Sequence, residues 1–178
     1  LRATYLRVES LQGPLGVQNL QPRLSWLPVL ESGLPSDRNV TVTAARVVVS
    51  STAGGVGDVW DSGRVSSSHA NMLEYGGPAT PALSRRWFRV EVWGDGMESC
   101  GLSEAGVWGA GPPSGWLGAA WVRSPTPVPS DCAMYSATHP NPVLFHAFKL
   151  PKAVARATLH VSGLGFSRVL VNARQGED

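Results

Sequence analysis

Glu98 and Glu104 form the one closely spaced glutamate pair in this 178-residue chain. Paired carboxyls are the equipment of acid–base hydrolysis: a glycosidic bond is cut with inversion by one protonated and one ionised carboxyl about 6.5–9.5 Å apart. The two glutamates straddle a polar loop, however, where solvated charge is the ordinary state of a carboxylate. The histidines offer no more. His139 and His146 are separated by Pro140 and Pro142, His69 and His160 stand alone, and none matches a metal-ligand spacing. Cys100 and Cys132 also lack ligand spacing and make no disulfide framework, so they leave the redox compartment open. Ser162-Gly163-Leu164-Gly165-Phe166-Ser167 has the wrong order for a nucleophile elbow and reads as a β-turn. Gly54-Gly55-Val56-Gly57 follows a strand, as a phosphate loop does, but lacks the Gly-Lys-Ser/Thr ending and a helix behind it. Asn39-Val40-Thr41 fits an N-glycosylation acceptor, a triplet that also arises by chance on strand edges. These residues yield no catalytic group, no metal site and no cofactor site.

The elements that carry them are strands. Arg86 to Trp93 alternates, with Phe88, Val90 and Val92 on one face and Trp87, Arg89, Glu91 and Trp93 on the other. Period two with aromatic and β-branched types marks a half-buried strand. The pattern recurs at Tyr5 to Glu9 and at Pro22 to Leu27, where Leu24 and Trp26 share a face. It recurs again at Thr41 to Thr52, with Ala45, Val47 and Val49 facing one way, at Trp60 to Gly63, at Asn71 to Tyr75 and at Ala105 to Trp108. About seven strands with turn signals between them predict an all-β, fibronectin type III-like (immunoglobulin-like) sandwich over 1–109. Trp87 and Trp93 are expected exposed on the outer face of their strand. Two readings stand there: a flat platform for sugar, or a patch covered by a neighbouring domain.

Composition excludes whole classes. The net charge is +2 and the charged fraction 16%, with no basic cluster larger than Arg85-Arg86, so no nucleic acid is expected as a partner. No apolar run approaches the ~20 residues of a spanning helix, and no membrane partner is expected. Leu1 is not an initiator methionine, and no leader pattern opens the chain, so the sequence reads as processed, trimmed or incomplete and its localisation stays unknown.

Residues 110–130 change character: Gly111-Pro112-Pro113-Ser114-Gly115 cannot sit in a regular ladder. A flexible linker has no use for tryptophan, so Trp116 and Trp121 are expected to pack between domains. A second β-region then starts, with strands expected at Val143 to Phe148, at Ala155 to Ser162 (Ala157, Leu159 and Val161 inward) and from Phe166 to Asn172. Three strands are too few for independent stability, so 131–178 is expected to be the truncated start of a second sandwich.

The order of these pieces resembles the N-terminal region of glycoside hydrolase family 78, the α-L-rhamnosidases. The resemblance rests on Pro14-Leu15-Gly16-Val17, Pro22-Arg23-Leu24-Ser25-Trp26, Trp60-Asp61-Ser62-Gly63-Arg64-Val65, Trp87 to Trp93 and the pair Trp116 and Trp121. It continues through Leu150-Pro151, Ala155-Arg156-Ala157-Thr158-Leu159 and Ser162-Gly163-Leu164-Gly165-Phe166. At the family's Asn-Gly hairpin this chain has Asn172-Ala173, which predicts a strained two-residue turn. The resemblance implies a second sandwich of lectin-like or jelly-roll type. It also implies a parent enzyme that releases terminal α-L-rhamnose from glycosides by inversion, with rhamnosides and the downstream domains of the same chain as partners. The family's helical (α/α)6 barrel and its carboxylates match nothing here, so no catalytic residue carries over and this chain alone is expected to be inactive. The rival reading is a non-enzymatic carbohydrate-binding or adhesion sandwich.

Overall fold

The structure, a computed structural model, describes residues 1–30, 40–66, 72–96, 98–125, 142–172 and 174–175. They fall into two compact units, Leu1–Ser114 and Gly115–Asp178. No α-helix occurs among the described residues; the chain is all-β.

In the first unit, strand β1 (Arg2–Val8) pairs antiparallel with β2 (Arg23–Val29), and β2 pairs with the short β6 (Leu73–Glu74). The larger sheet is built on β3 (Val42–Ser50) and β7 (Arg85–Gly94). Two short strands, β4 (Trp60–Asp61) and β5 (Val65–Ser66), both pair with β3, and β8 (Gly106–Gly109) lies outside β7. This is the predicted sandwich. The alternation holds where it was read: Leu24 and Trp26 face Ala45, Val47, Val49, Phe88, Val90 and Val92 in one buried cluster.

Two features of the core escape period-two reading. Ala44 and Val48 belong to the opposite face of β3 and are nevertheless buried. At Val48 the cover comes from the turn after β3, since the space above Gly57 opens directly onto the Val48 side chain. The second feature is an aromatic chain. Trp60 meets Tyr75 edge-on (centroids 5.2 Å), Tyr75 meets Trp108 (5.5 Å), and Trp108 meets Phe88 (5.8 Å). Such pairs contribute about 0.5–1.5 kcal/mol each beyond their burial. The polar tips are satisfied: the Tyr75 hydroxyl donates to the Pro78 carbonyl (2.8 Å) and Trp108 Nε1 donates to Thr80 Oγ1 (3.2 Å).

In the second unit the expected ladders at 143–148 and 155–162 do not form among the described residues. Leu159 and Val161, expected inward, are exposed, and so are Val143, Phe145 and Phe166. The physical reason is that alternation supplies a face but not a partner strand, and an unpaired strand leaves its backbone groups unsatisfied. One hairpin does form, β9 (Leu170–Val171) with β10 (Arg174–Gln175). Asn172 takes a positive φ (50°), as asparagine readily does, and the hairpin forms with Asn172-Ala173 in place of Asn-Gly.

Candidate functional site

The outer face of the large sheet is where sequence reading placed the one surface with a possible ligand. The β3–β7 register sets Ala44, Arg46, Val48 and Ser50 beside Trp93, Glu91, Arg89 and Trp87 on that face. Trp87 and Trp93 are half-buried rather than exposed, which corrects the expectation of an open platform. The cause at Trp93 is visible: the Arg64 guanidinium lies 4.5 Å from the ring centroid and occupies the ring's face.

The remaining charges on this face also serve one another. The Asp61 carboxylate accepts from Arg46 Nε (3.0 Å) and Nη2 (2.6 Å), while Arg46 Nη1 lies 3.8 Å from Glu91. The two-pronged bond from Arg46, with the Gly63 amide added, holds the Asp61 carboxyl below the usual carboxylate range. Arg89 donates to the carbonyls of Ser103 (3.0 Å) and Ala53 (3.4 Å).

The same geometry explains the motif Trp60-Asp61-Ser62-Gly63. Trp60 enters the aromatic chain and Asp61 holds Arg46. Ser62 Oγ accepts the Val47 amide (2.8 Å) and donates to the Gly63 carbonyl (2.7 Å), and Gly63 turns with φ +63°. The four residues lock an edge of the sheet.

A concavity of about 320 Å³ lies between Glu9, Leu11, Pro14 and Asn19 and is lined by the Pro14-Leu15-Gly16-Val17 motif. Its one carboxylate is fully engaged: Glu9 accepts from Asn19 Nδ2 (2.9 Å), the Arg23 amide (2.9 Å), Arg23 Nε (3.1 Å) and Arg23 Nη2 (2.6 Å). The Arg23 side-chain bonds are the main reason its pKa falls from the ordinary 4.5 to about 2. A carboxylate so placed is a structural anion, far from the poise of a general acid.

Other residues singled out in the sequence lie off the strands of this sheet or outside the described residues. Glu98 and Glu104 are both exposed. His146 and His160 stand in no metal-binding group among the described residues, and His69, His139, Cys132 and Asn39 lie outside those residues. The Gly54–Gly57 turn spends its polar groups internally: Gly55 N–H donates to Thr52 O (3.2 Å), and the Gly57 amide donates to Ser50 Oγ (2.9 Å). Ser162 to Phe166 is a bend around Gly165 (φ +88°), with no helix after it. Trp116 and Trp121 are 40% and 70% exposed, the first within a left-handed turn formed by Gly115, Trp116 and Leu117. Among the described residues, then, no nucleophile meets a base and no carboxyl pair is poised for hydrolysis. Sequence reading missed the roles of Glu9 and Asp61, whose only sequence signals are arginines 14 residues later and 15 residues earlier.

Comparison with known proteins shows the family. Residues 3–114 match the family model described as the Rha78A-like N-terminal immunoglobulin domain. An α-L-rhamnosidase of Streptomyces avermitilis is 38% identical over 135 residues, which is 72% of this chain and 12% of that protein. One from Alteromonas sp. strain LOR is 27% identical over 187 residues, covering 97% of this chain and 19% of that protein. Among solved structures, the Streptomyces avermitilis α-L-rhamnosidase complexed with L-rhamnose superposes on 62% of this chain and 10% of its own, with a TM-score of 0.55 at 34% identity. The α-L-rhamnosidase of Dictyoglumus thermophilum gives a TM-score of 0.55 at 29% identity, over 63% of this chain and 12% of its own. The chain therefore spans less than a fifth of the length of these relatives.

Proposed function

Since the chain belongs to the Rha78A-like N-terminal immunoglobulin domain family over residues 3–114, we propose that it is the non-catalytic N-terminal part of an α-L-rhamnosidase. The parent protein hydrolyses terminal α-L-rhamnose from glycosides by inversion, on a catalytic barrel beyond the region these residues match. The observation that carries this reading is a combination. The relatives are rhamnosidases, the match falls on a small share of their length, and the matched surface has no acid–base pair among its described residues. Its charges Glu9 and Asp61 are held as structural anions by Arg23 and Arg46. Within the parent the sandwich acts as a rigid body whose partners are the downstream domains of the same polypeptide.

The experiment is a direct assay. The full-length parent should release aryl alcohol from an aryl α-L-rhamnoside with inversion at the anomeric carbon, and residues 1–178 alone should not exceed a buffer blank. Turnover by residues 1–178, from a preparation free of host glycosidase, defeats the non-catalytic reading. A parent inactive on α-L-rhamnosides defeats the assignment of substrate.

A further inference from the structure

The long connection between β1 and β2 crosses from the small sheet to the free side of β8 and hydrogen-bonds there. The Gly109 amide donates to Pro14 O (2.8 Å), the Val17 amide donates to Gly109 O (2.9 Å), and the Gly111 amide donates to Val17 O (3.0 Å). Val17 and Ala110 thereby form a parallel bridge alongside β8. The connection thus occupies the outward backbone groups of Gly109, at the end of an edge strand that would otherwise be open there to strand addition. Gly13 (φ +57°) and Gly16 (φ +82°) supply the left-handed turns that a strap of this path needs.

Where the strap leaves β1, Glu9 and Ser10 also take positive φ (48° and 69°), a costly conformation for residues with a Cβ unless the surroundings enforce it. A reciprocal pair of backbone bonds closes this two-residue turn, Val8 N–H to Leu11 O (2.8 Å) and Leu11 N–H to Val8 O (2.9 Å), and the Glu9 carboxylate ties the turn to the rest of the strap. Glu9 grips Arg23 at the return end through amide and guanidinium and Asn19 inside the strap through its side-chain amide. Asn19 Oδ1 in turn accepts the Gln21 amide (3.1 Å). We propose that residues 10–22 are a strap that seals the Gly109 end of the β8 edge and that Glu9 is its catch, a positioning residue acting on a strand of the opposite sheet.

The test is amide hydrogen exchange on the full chain, comparing the parent sequence with Glu9→Ala and Asn19→Ala. Glu9→Ala keeps the backbone bond from the Glu9 amide to Arg23 O, so the β1–β2 pairing persists. The amides of Val17, Gly109 and Gly111 should exchange at least tenfold faster in Glu9→Ala and by a smaller factor in Asn19→Ala. Those of Val59 and Ser62, which donate to β3 at the far side of the same sheet, should not change. Unchanged exchange at Val17, Gly109 and Gly111 overturns the proposal. So does uniform acceleration that includes Val59 and Ser62, which would make Glu9 a general stabiliser rather than a catch.

Discussion

Trp26 is 2% exposed on β2, and Glu91 lies on the other face of the facing sheet, half-buried beside Arg46. Truncating a buried aromatic removes its transfer energy and leaves a cavity, so Trp26→Ala should cost about 3–5 kcal/mol, a large part of the roughly 5–15 kcal/mol of a whole domain. Glu91→Ala loses a 3.8 Å contact on a partly wet face and should stay within roughly 0.5 kcal/mol. Chemical denaturation of both variants checks this, and equal midpoint shifts would mean that the sandwich faces are reversed. Glu9 gives a pH prediction. Its carboxyl ionises at about 2 in the folded chain against an ordinary 4.5, mainly through the Arg23 side-chain bonds. The unfolded state therefore binds the proton first as acid is added, and the ion pair's contribution is whole above about pH 4.5 and fades towards pH 2. Glu9→Gln should flatten the fall in Tm across that window relative to the parent sequence. An unchanged slope would show that Glu9 is not among the carboxylates that drive acid unfolding.

At the scale of elements, the strands were legible because burial on one face imposes period two. Phe88, Val90 and Val92 carry that pattern within β7, and Ala45, Val47 and Val49 carry it in β3. What stayed hidden depends on residues distant in sequence. Val48 is buried by a following turn, Trp93 is capped by Arg64, and the strap on β8 is held by contacts between Glu9 and residues 10 and 14 positions away. Local periodicity contains none of this. At the candidate surface the pairings were not legible: Arg46 holds Asp61 and Arg64 lies over Trp93, contacts between strands that the residue types alone do not specify. A close approach between β7 and β8 yields an element-scale prediction. A Cβ on Gly106 would lie 2.4 Å from Phe88 Cε1 and 3.0 Å from Leu6 Cβ, inside the core, whereas one on Gly54 meets nothing within 4 Å. Gly106→Ala should cost about 1–3 kcal/mol by overpacking, and Gly54→Ala should remain within roughly 0.5 kcal/mol. Thermal melts of the two variants decide it; a neutral Gly106→Ala would mean that Phe88 can leave its place against Trp108 without loss.

At the scale of the whole molecule, the open matter is how a small sandwich serves a protein of which the matched region is 10–19% in its relatives. Trp116 and Trp121 bear on it, because together they offer two large rings to water at 40% and 70% exposure. Each ring can remove about 150–250 Å² from water when covered, and apolar area of that kind is poorly suited to an isolated surface. Our reading is that in the full-length parent these rings are buried between domains and fix the pose of the first sandwich. If so, limited proteolysis of the native parent should spare the bonds between Gly115 and Pro125, although the segment is rich in glycine and proline. Replacing both tryptophans by serine should open that stretch to protease while the first unit, whose core contains neither ring, keeps its own melting transition. Rapid native cleavage of the unaltered parent there would instead make the sandwich an independent bead on a string. It would then carry no positional information to the catalytic domain, and its retention would have to be explained by solubility or by a partner outside the chain.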